Sequence, residues 1–299
     1  MSREIGRLLT AMVTPFSPDG EVDYIQAKAL ANRLIESGSD GLIIAGTTGE
    51  SPNLTLNEKL RLFAEVKAAI GDGVVIAGTG TYSTRESIEL TKQVEGTGVD
   101  GVMAVVPYYN KPPQEGLFQH FQAIAGATSL PLIVYNVPSR TGLNMTDETT
   151  IRLSQIENII GVKEAGSDMD QVVRILSGAR PDFKVWSGND NETFPIVSLG
   201  GYGVISVASH LVGVQIKEMI NLVLDGQIDK AACEHLRLHP LFKILFVISS
   251  PIPVKYALKK IGFPVGETRL PLIPPDDRTI GQIDAVLAEY SFDLGPFSK

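Results

Sequence analysis

Eight short apolar runs, each separated from the next by a segment of helical periodicity, constrain this chain more than any other feature of its 299 residues. They fall at 8–14, 41–46, 74–79, 101–106, 132–136, 159–164, 184–188 and 203–208. Each is a continuous stretch rich in Val, Ile, Leu and Ala rather than a strict alternation, the pattern of parallel strands covered on both faces. Parallel neighbours need right-handed crossovers, which the intervening segments supply. In LNEKLRLFAEVKAAIG, Leu56, Leu60, Phe63, Val66 and Ile70 follow a helical period and Gly71 stands where the helix should end. TRESIELTKQVEGTG repeats the plan, with Thr84 as the expected cap and Ile88, Leu90 and Val94 as the apolar face. Eight such units predict an α/β fold, a (β/α)8 TIM barrel. A doubly wound open sheet is the alternative, and the lack of any linker among the units argues against it.

The units are exhausted by Leu224, so residues 1–224 read as the barrel and 225–299 as a C-terminal helical region packed on it. Helices are expected at 228–248, 252–261 and 280–290, the second with Pro253 in its first turn. No low-complexity linker precedes this tail.

Composition narrows the function classes. A net charge of −8 lacks the basic excess that a nucleic-acid surface requires. The one cysteine, Cys233, rules out an intramolecular disulfide and a cysteine zinc cluster. His235 and His239 have a metal-ligand spacing, but between them stand Leu236 and Leu238 in a tail helix, and the spacing reads as coincidence. The N-terminal MSREIGRLLTAMVTPF lacks a secretory pattern, and no apolar run approaches the ~20 residues needed to span a bilayer. A soluble, cytoplasmic protein with no membrane or nucleic-acid partner is expected.

In a barrel of this kind, chemistry gathers where strands end and loops begin. That rule selects Thr47, Thr48 and Glu50, then Tyr108 and Tyr109, then Tyr135 and Arg140, then Lys163, with Gly188 and Ile205 on the last two strands. GTTGES, residues 46–51, is either an anion-binding turn of backbone N–H groups and hydroxyls or an ordinary strand-to-helix turn. The tyrosines of VVPYYNKPP suit either a proton relay or aromatic packing at a rim or subunit contact. Arg140 suits bidentate capture of a carboxylate, or it decorates the surface. Lys163 ends the apolar run of ENIIGVKEAGSD. It either snorkels and pairs with Glu164, or its desolvated amine is kept neutral for attack on a carbonyl. Strand alternation points Glu164 away from the side that Lys163 occupies.

Together and in order, GTTGES, PYYNKP, YNVPSRTG and GVKEAGSD closely resemble the dihydrodipicolinate synthases, within the pyruvate-dependent class I aldolases that include N-acetylneuraminate lyase. The likeness covers nearly the whole chain. It implies a Schiff base between Lys163 and pyruvate, with Tyr135 as proton shuttle. Thr47 would link Tyr135 to Tyr109, which reaches into a neighbouring subunit's site. Thr48 would hold the pyruvate carboxylate, and the backbone of Gly188 and Ile205 would shape the site. Arg140 would bind the carboxylate of aspartate semialdehyde, which favours a synthase over the sugar-acid lyases of the same superfamily or a silent keto-acid-binding relative. No metal or organic cofactor is implied, and a homotetramer built as a dimer of dimers is.

The resemblance also implies a lysine-inhibition site at a subunit interface, here Ser51, Pro52, Leu54, Leu56, Lys59, Tyr82, Glu86 and Tyr108. Glu86 and Tyr108 suit a lysine ligand. Leu56 and Lys59 stand where strongly inhibited members carry histidines, and Tyr82 replaces an asparagine. The charge of Lys59 would repel the ligand, so inhibition is expected to be weak or absent.

Overall fold

In the computed structural model, which describes residues 4–294, eight parallel strands follow one another around a closed barrel in chain order. They are β1 (Leu8–Ala11), β2 (Gly41–Ile44), β3 (Val74–Gly78), β4 (Gly101–Val105), β5 (Leu132–Asn136), β6 (Ile159–Glu164), β7 (Lys184–Ser187) and β8 (Gly203–Ser206). Pairing of Leu8 with Val204, Leu9 with Ile205 and Thr10 with Ser206 closes the sheet, leaving no unpaired edge. The crossovers include helices Tyr24–Glu36, Leu56–Ile70, Thr84–Val94, Gln114–Ala125 and Met169–Gly178. The expected TIM barrel is the fold.

Side chains alternate across each strand and so build two cores. Leu9, Ile43, Ile76, Met103, Ile133, Tyr135, Trp186 and Ile205 fill the barrel. Leu8, Leu42, Ile44, Val75, Val102, Val134 and Val162 pack outward against the helices. Both faces are dry, which explains why the strands read as unbroken apolar runs. Trp186 is fully buried and donates its Nε1–H to Gly6 O at 3.1 Å.

Several local expectations shift. The run at 8–14 pairs as a strand only to Ala11, because an apolar sequence does not reveal where a ladder stops. Ser83, not Thr84, caps the third helix by accepting from the Glu86 N–H, while Thr84 Oγ1 turns to His120 Nδ1 at 2.8 Å. Leu56 is exposed at the first position of its helix, while Phe63 and Val66 are buried as expected and Leu62 joins them. Thr55 and Glu58 form a reciprocal capping box there, and Gly71 closes the helix with φ 52°.

Beyond the barrel run helices Ile228–Ile244, Ile252–Lys260 and Asp277–Leu287. The first stops at Ile244, four residues short of the expected 248. The tail is bonded to the barrel at separate points: Arg269 Nη1 donates to Asn53 O at 2.8 Å, and the Asp293 N–H to Leu211 O at 2.8 Å. Among the described residues no helix is long and apolar enough to cross a membrane.

Candidate active site

Strand register assembles the reactive pair. β5 and β6 pair Tyr135 with Lys163 and Asn136 with Glu164. Alternation sends the first pair to the inside of the barrel and the second pair outward. Lys163 Nζ consequently lies 4.3 Å from the centroid of the Tyr135 ring. Glu164 is not its partner: the carboxylate accepts from Asn136 Nδ2 at 3.0 and 3.1 Å, from the Gly166 N–H at 2.6 Å and from Gln171 Nε2 at 3.2 Å. Burial pushes Glu164 up to about 7 against the pull of those donors. Its role is to tie the loop after β6 to β5.

Lys163 is 5% exposed. Burial lowers its pKa to about 7, opposed by the Asp190 carboxylate and aided by the Arg140 charge. Near neutrality it therefore holds comparable amounts of ammonium and nucleophilic free amine. Burial drives the Tyr135 phenol the other way, up to about 12, against the Arg140 charge and a hydrogen bond with Thr47. That phenol stays protonated and can lend its proton to a leaving hydroxide.

Both groups open into a cavity of about 340 Å³ whose walls include Thr47, Thr48, Tyr135, Arg140, Lys163 and Gly188. Six of the residues selected from sequence thus meet in one space. Val137, Ser139, Asn189 and Val207 complete the barrel side, and Phe246, Ile248, Ser249 and Ser250 reach in from the tail. Arg140 is exposed, and its Nη2 donates to Ser250 O at 3.4 Å. Gly188 is required where it stands, since a Cβ there would lie 2.6 Å from the Cβ of Ala165. Ile205 lies in the interior core with Tyr135 and lines neither this cavity nor its neighbour.

The neighbouring cavity, about 230 Å³, shares Thr47, Tyr135, Val137 and Arg140 with the first and is bounded farther out by Ser51, Pro52 and Tyr108. Tyr109 is 93% exposed, has φ 73°, and lines neither. Among the described residues the non-glycine positive-φ positions are Ala45, Glu50, Tyr109, Lys111 and Ser167, all in loops leaving the C-terminal ends of strands. Backbone strain is concentrated on the face that carries the cavity.

The residues grouped for lysine inhibition are only partly gathered. Tyr82 and Tyr108 meet edge to face at 5.5 Å. The Glu86 charge helps to raise the Tyr108 phenol, although burial is the larger cause. Burial lowers Lys59, and the same Glu86 charge opposes it. Leu54 is buried and Leu56 is exposed.

Sequence reasoning missed Asp190. It is buried at the end of the loop after β7, accepts from the Ser206 hydroxyl, and accepts from the N–H groups of Val207 and Ala208 at 3.1 and 3.0 Å. The strand-end rule that found Thr47 would have reached it in SGND. The tail wall had no such signal, because FVISS carries no titratable group.

Competitive acetylation of Lys163 across pH should follow a midpoint near 7, where an ordinary surface lysine gives one above 10. Asp190 holds the ammonium up, so Asp190→Asn should move that midpoint to lower pH. A midpoint for Lys163 in the ordinary lysine range would contradict the desolvation account.

The model of the dihydrodipicolinate synthetase family matches residues 4–289. A protein of Dehalococcoides mccartyi named 4-hydroxy-tetrahydrodipicolinate synthase is 57% identical over 293 residues, 98% of this chain and 99% of that one. One of Moorella thermoacetica with the same name is 55% identical over 285 residues, covering 95% and 98%. The crystal structure of the Cyanidioschyzon merolae synthase with lysine bound superposes with a TM-score of 0.94 at 49% identity, covering 95% of this chain and 97% of that one. Full-length matches of this kind in sequence and in fold place the chain in the dihydrodipicolinate synthetase family.

Proposed function

We propose that the chain is a 4-hydroxy-tetrahydrodipicolinate synthase, condensing pyruvate with L-aspartate 4-semialdehyde on the diaminopimelate route to lysine. The observation that carries this reading is the pairing of a buried amine poised near neutrality with a protonated phenol in a cavity edged by an exposed arginine. The free amine of Lys163 attacks C2 of pyruvate, and Tyr135 supplies the proton with which the hydroxyl leaves as water. Thr48 holds the carboxylate. The iminium withdraws electrons from the methyl carbon, which loses a proton to give an enamine. The enamine carbon then bonds to the aldehyde carbon of the second substrate, whose carboxylate pairs with Arg140. The substrate's own amine displaces Lys163, closing the ring and freeing the lysine for the next cycle.

Thr47 hydrogen-bonds Tyr135 and extends the relay toward Tyr109. Exposure of Tyr109 suits its reaching a second copy, and a homotetramer arranged as a dimer of dimers belongs to the same proposal. So does a place in the cytoplasm, a reducing compartment that suits the exposed thiol of Cys233. Gly188 and Ile205 act through the backbone in shaping the site. Sedimentation that returns a single-chain mass at micromolar concentration would remove the tetramer.

Borohydride reduction with pyruvate should fix label on Lys163, and peptide mapping that finds none there would sink the Schiff-base reading. In a coupled assay the enzyme should turn over aspartate semialdehyde in preference to N-acetylmannosamine or glyceraldehyde. Arg140→Ala should raise the KM for aspartate semialdehyde by about tenfold to a hundredfold, the loss of roughly 1.5–3 kcal/mol of charged hydrogen bonding. An unchanged KM would return the choice to the sugar-acid lyases.

We also propose that lysine inhibits this chain weakly or not at all. The candidate site is Ser51, Leu54, Lys59, Tyr82, Glu86 and Tyr108. The charge of Lys59 already interacts with Glu86, the acid that would receive the ligand's amine. Two like charges at about 4 Å repel by roughly 1–4 kcal/mol between water-like and surface screening, enough to weaken a lysine ligand about fivefold or more. Millimolar lysine should leave the wild-type rate nearly unchanged and should inhibit Lys59→Ala. Marked inhibition of the wild type in that range would refute the repulsion argument.

A further inference from the structure

A buried ion pair beside the cavity is not used by any step above. Lys255 Nζ lies 2.7 Å from Glu50 Oε1, and the two side chains are 3% and 0% exposed. Glu50 follows Thr47 and Thr48 in the β2 turn, holds a left-handed φ of 55°, and donates its N–H to Thr47 O at 3.1 Å. Its other oxygen, Oε2, accepts from the Arg269 N–H at 3.0 Å and from Asn53 Nδ2 at 3.4 Å. Lys255 also donates to Glu267 O at 3.1 Å and sits 4.1 Å from the centroid of the Phe16 ring. The helix that carries it, Ile252–Lys260, starts two residues after Ser250, a wall of the Lys163 cavity.

Stability alone is a poor reason for such a pair. Two charges removed from water repay their desolvation only with good geometry, and an apolar pair of the same size often serves as well. What a buried ion pair adds is a held contact between segments, because separating it would leave a charge buried and unpaired. Here that contact is set between two segments 205 residues apart in sequence, each forming one side of the same cavity. The left-handed backbone of a glutamate is a strained state that needs outside support, and Lys255 and the Arg269 N–H supply it from the tail.

We propose that Glu50 and Lys255 are positioning residues, a clasp between turn and tail that fixes the Thr47 and Thr48 groups against the pyruvate carboxylate. The clasp makes the C-terminal region part of pyruvate binding even though none of its charged side chains enters the cavity. The inference rests on the Schiff-base reading above.

The test compares pyruvate binding in the wild type, Glu50→Gln, Lys255→Met and Lys259→Met. The last removes the exposed Lys259–Glu267 pair on the same helix and serves as control. Each protein is checked for a cooperative melt, trapped with borohydride over a pyruvate series, and assayed for kcat and KM. Glu50→Gln and Lys255→Met should need about tenfold more pyruvate or beyond for half-maximal trapping, with KM raised to match, as expected when a binding group is displaced. Lys259→Met should follow the wild type. A purely structural role would lower kcat with the fraction of folded enzyme and leave the pyruvate KM unchanged, and that result would overturn the proposal. If Lys255→Met does not fold, Glu50→Gln decides, since it keeps the shape and the acceptor facing the Arg269 N–H. Trapping in the wild type with unshifted variants defeats the clasp alone; no trapping in the wild type defeats the Schiff-base reading as well.

Discussion

Removing an ammonium from water is costly, and the position of Lys163 on the inner face of β6 makes that cost the constraint around which the barrel mouth is arranged. The protein does not cancel the cost with a direct ion pair. Lys163 lies buried against the Tyr135 ring, and burial lowers its pKa to about 7 although the nearby Asp190 charge opposes the shift. A carboxylate bonded directly to the amine would have favoured the ammonium and left less free amine. Closure of the sheet makes this arrangement durable, because a barrel strand has no free edge along which its register could slip.

Two acids close in sequence to reactive groups are kept away from them by different means. Glu164 neighbours Lys163 in the chain, but strand alternation turns it outward, where Asn136, Gly166 and Gln171 occupy its oxygens. Glu50 is three residues from Thr47, and a left-handed backbone turns it toward Lys255. In both cases the carboxylate organises a loop instead of quenching a nearby group. Asp190 is the exception. It is tied to the β8 end by Ser206, Val207 and Ala208 and still acts on Lys163 through its charge.

The parts that were legible in the sequence share a physical basis. Strands covered on both faces must be apolar throughout, and that requirement left eight visible runs. Loops at the C-terminal strand ends then supplied Thr47, Thr48, Tyr135, Arg140, Lys163 and Gly188, all of which line one cavity. What stayed hidden depended on long-range packing. Ser250 reaches the cavity and Lys255 reaches Glu50 from far along the chain, and no local period or spacing reports such contacts. Ser83 caps the third helix while Thr84 bonds His120, a partner that only the packed structure supplies. The extent of β1 is hidden for a simpler reason: hydrophobicity reports burial, while a strand is defined by its pairing.

The net charge of −8 would not by itself draw anionic substrates to this protein. The mouth of the barrel differs from the whole. Arg140 is exposed at the cavity, Lys163 is cationic in part near neutrality, and the remaining polar wall is built from threonine, serine, asparagine and the Tyr135 phenol. Asp190 is turned into hydrogen bonds from β8, and Glu164 and Glu50 are turned into loop and tail, so none of these three carboxylates lines the cavity. Screening over about 8 Å at physiological salt then lets the local cations dominate what a small anion meets at the mouth. Keeping acids buried near the site but pointed out of the cavity therefore serves two ends: it fixes the loops, and it leaves the opening favourable to a carboxylate.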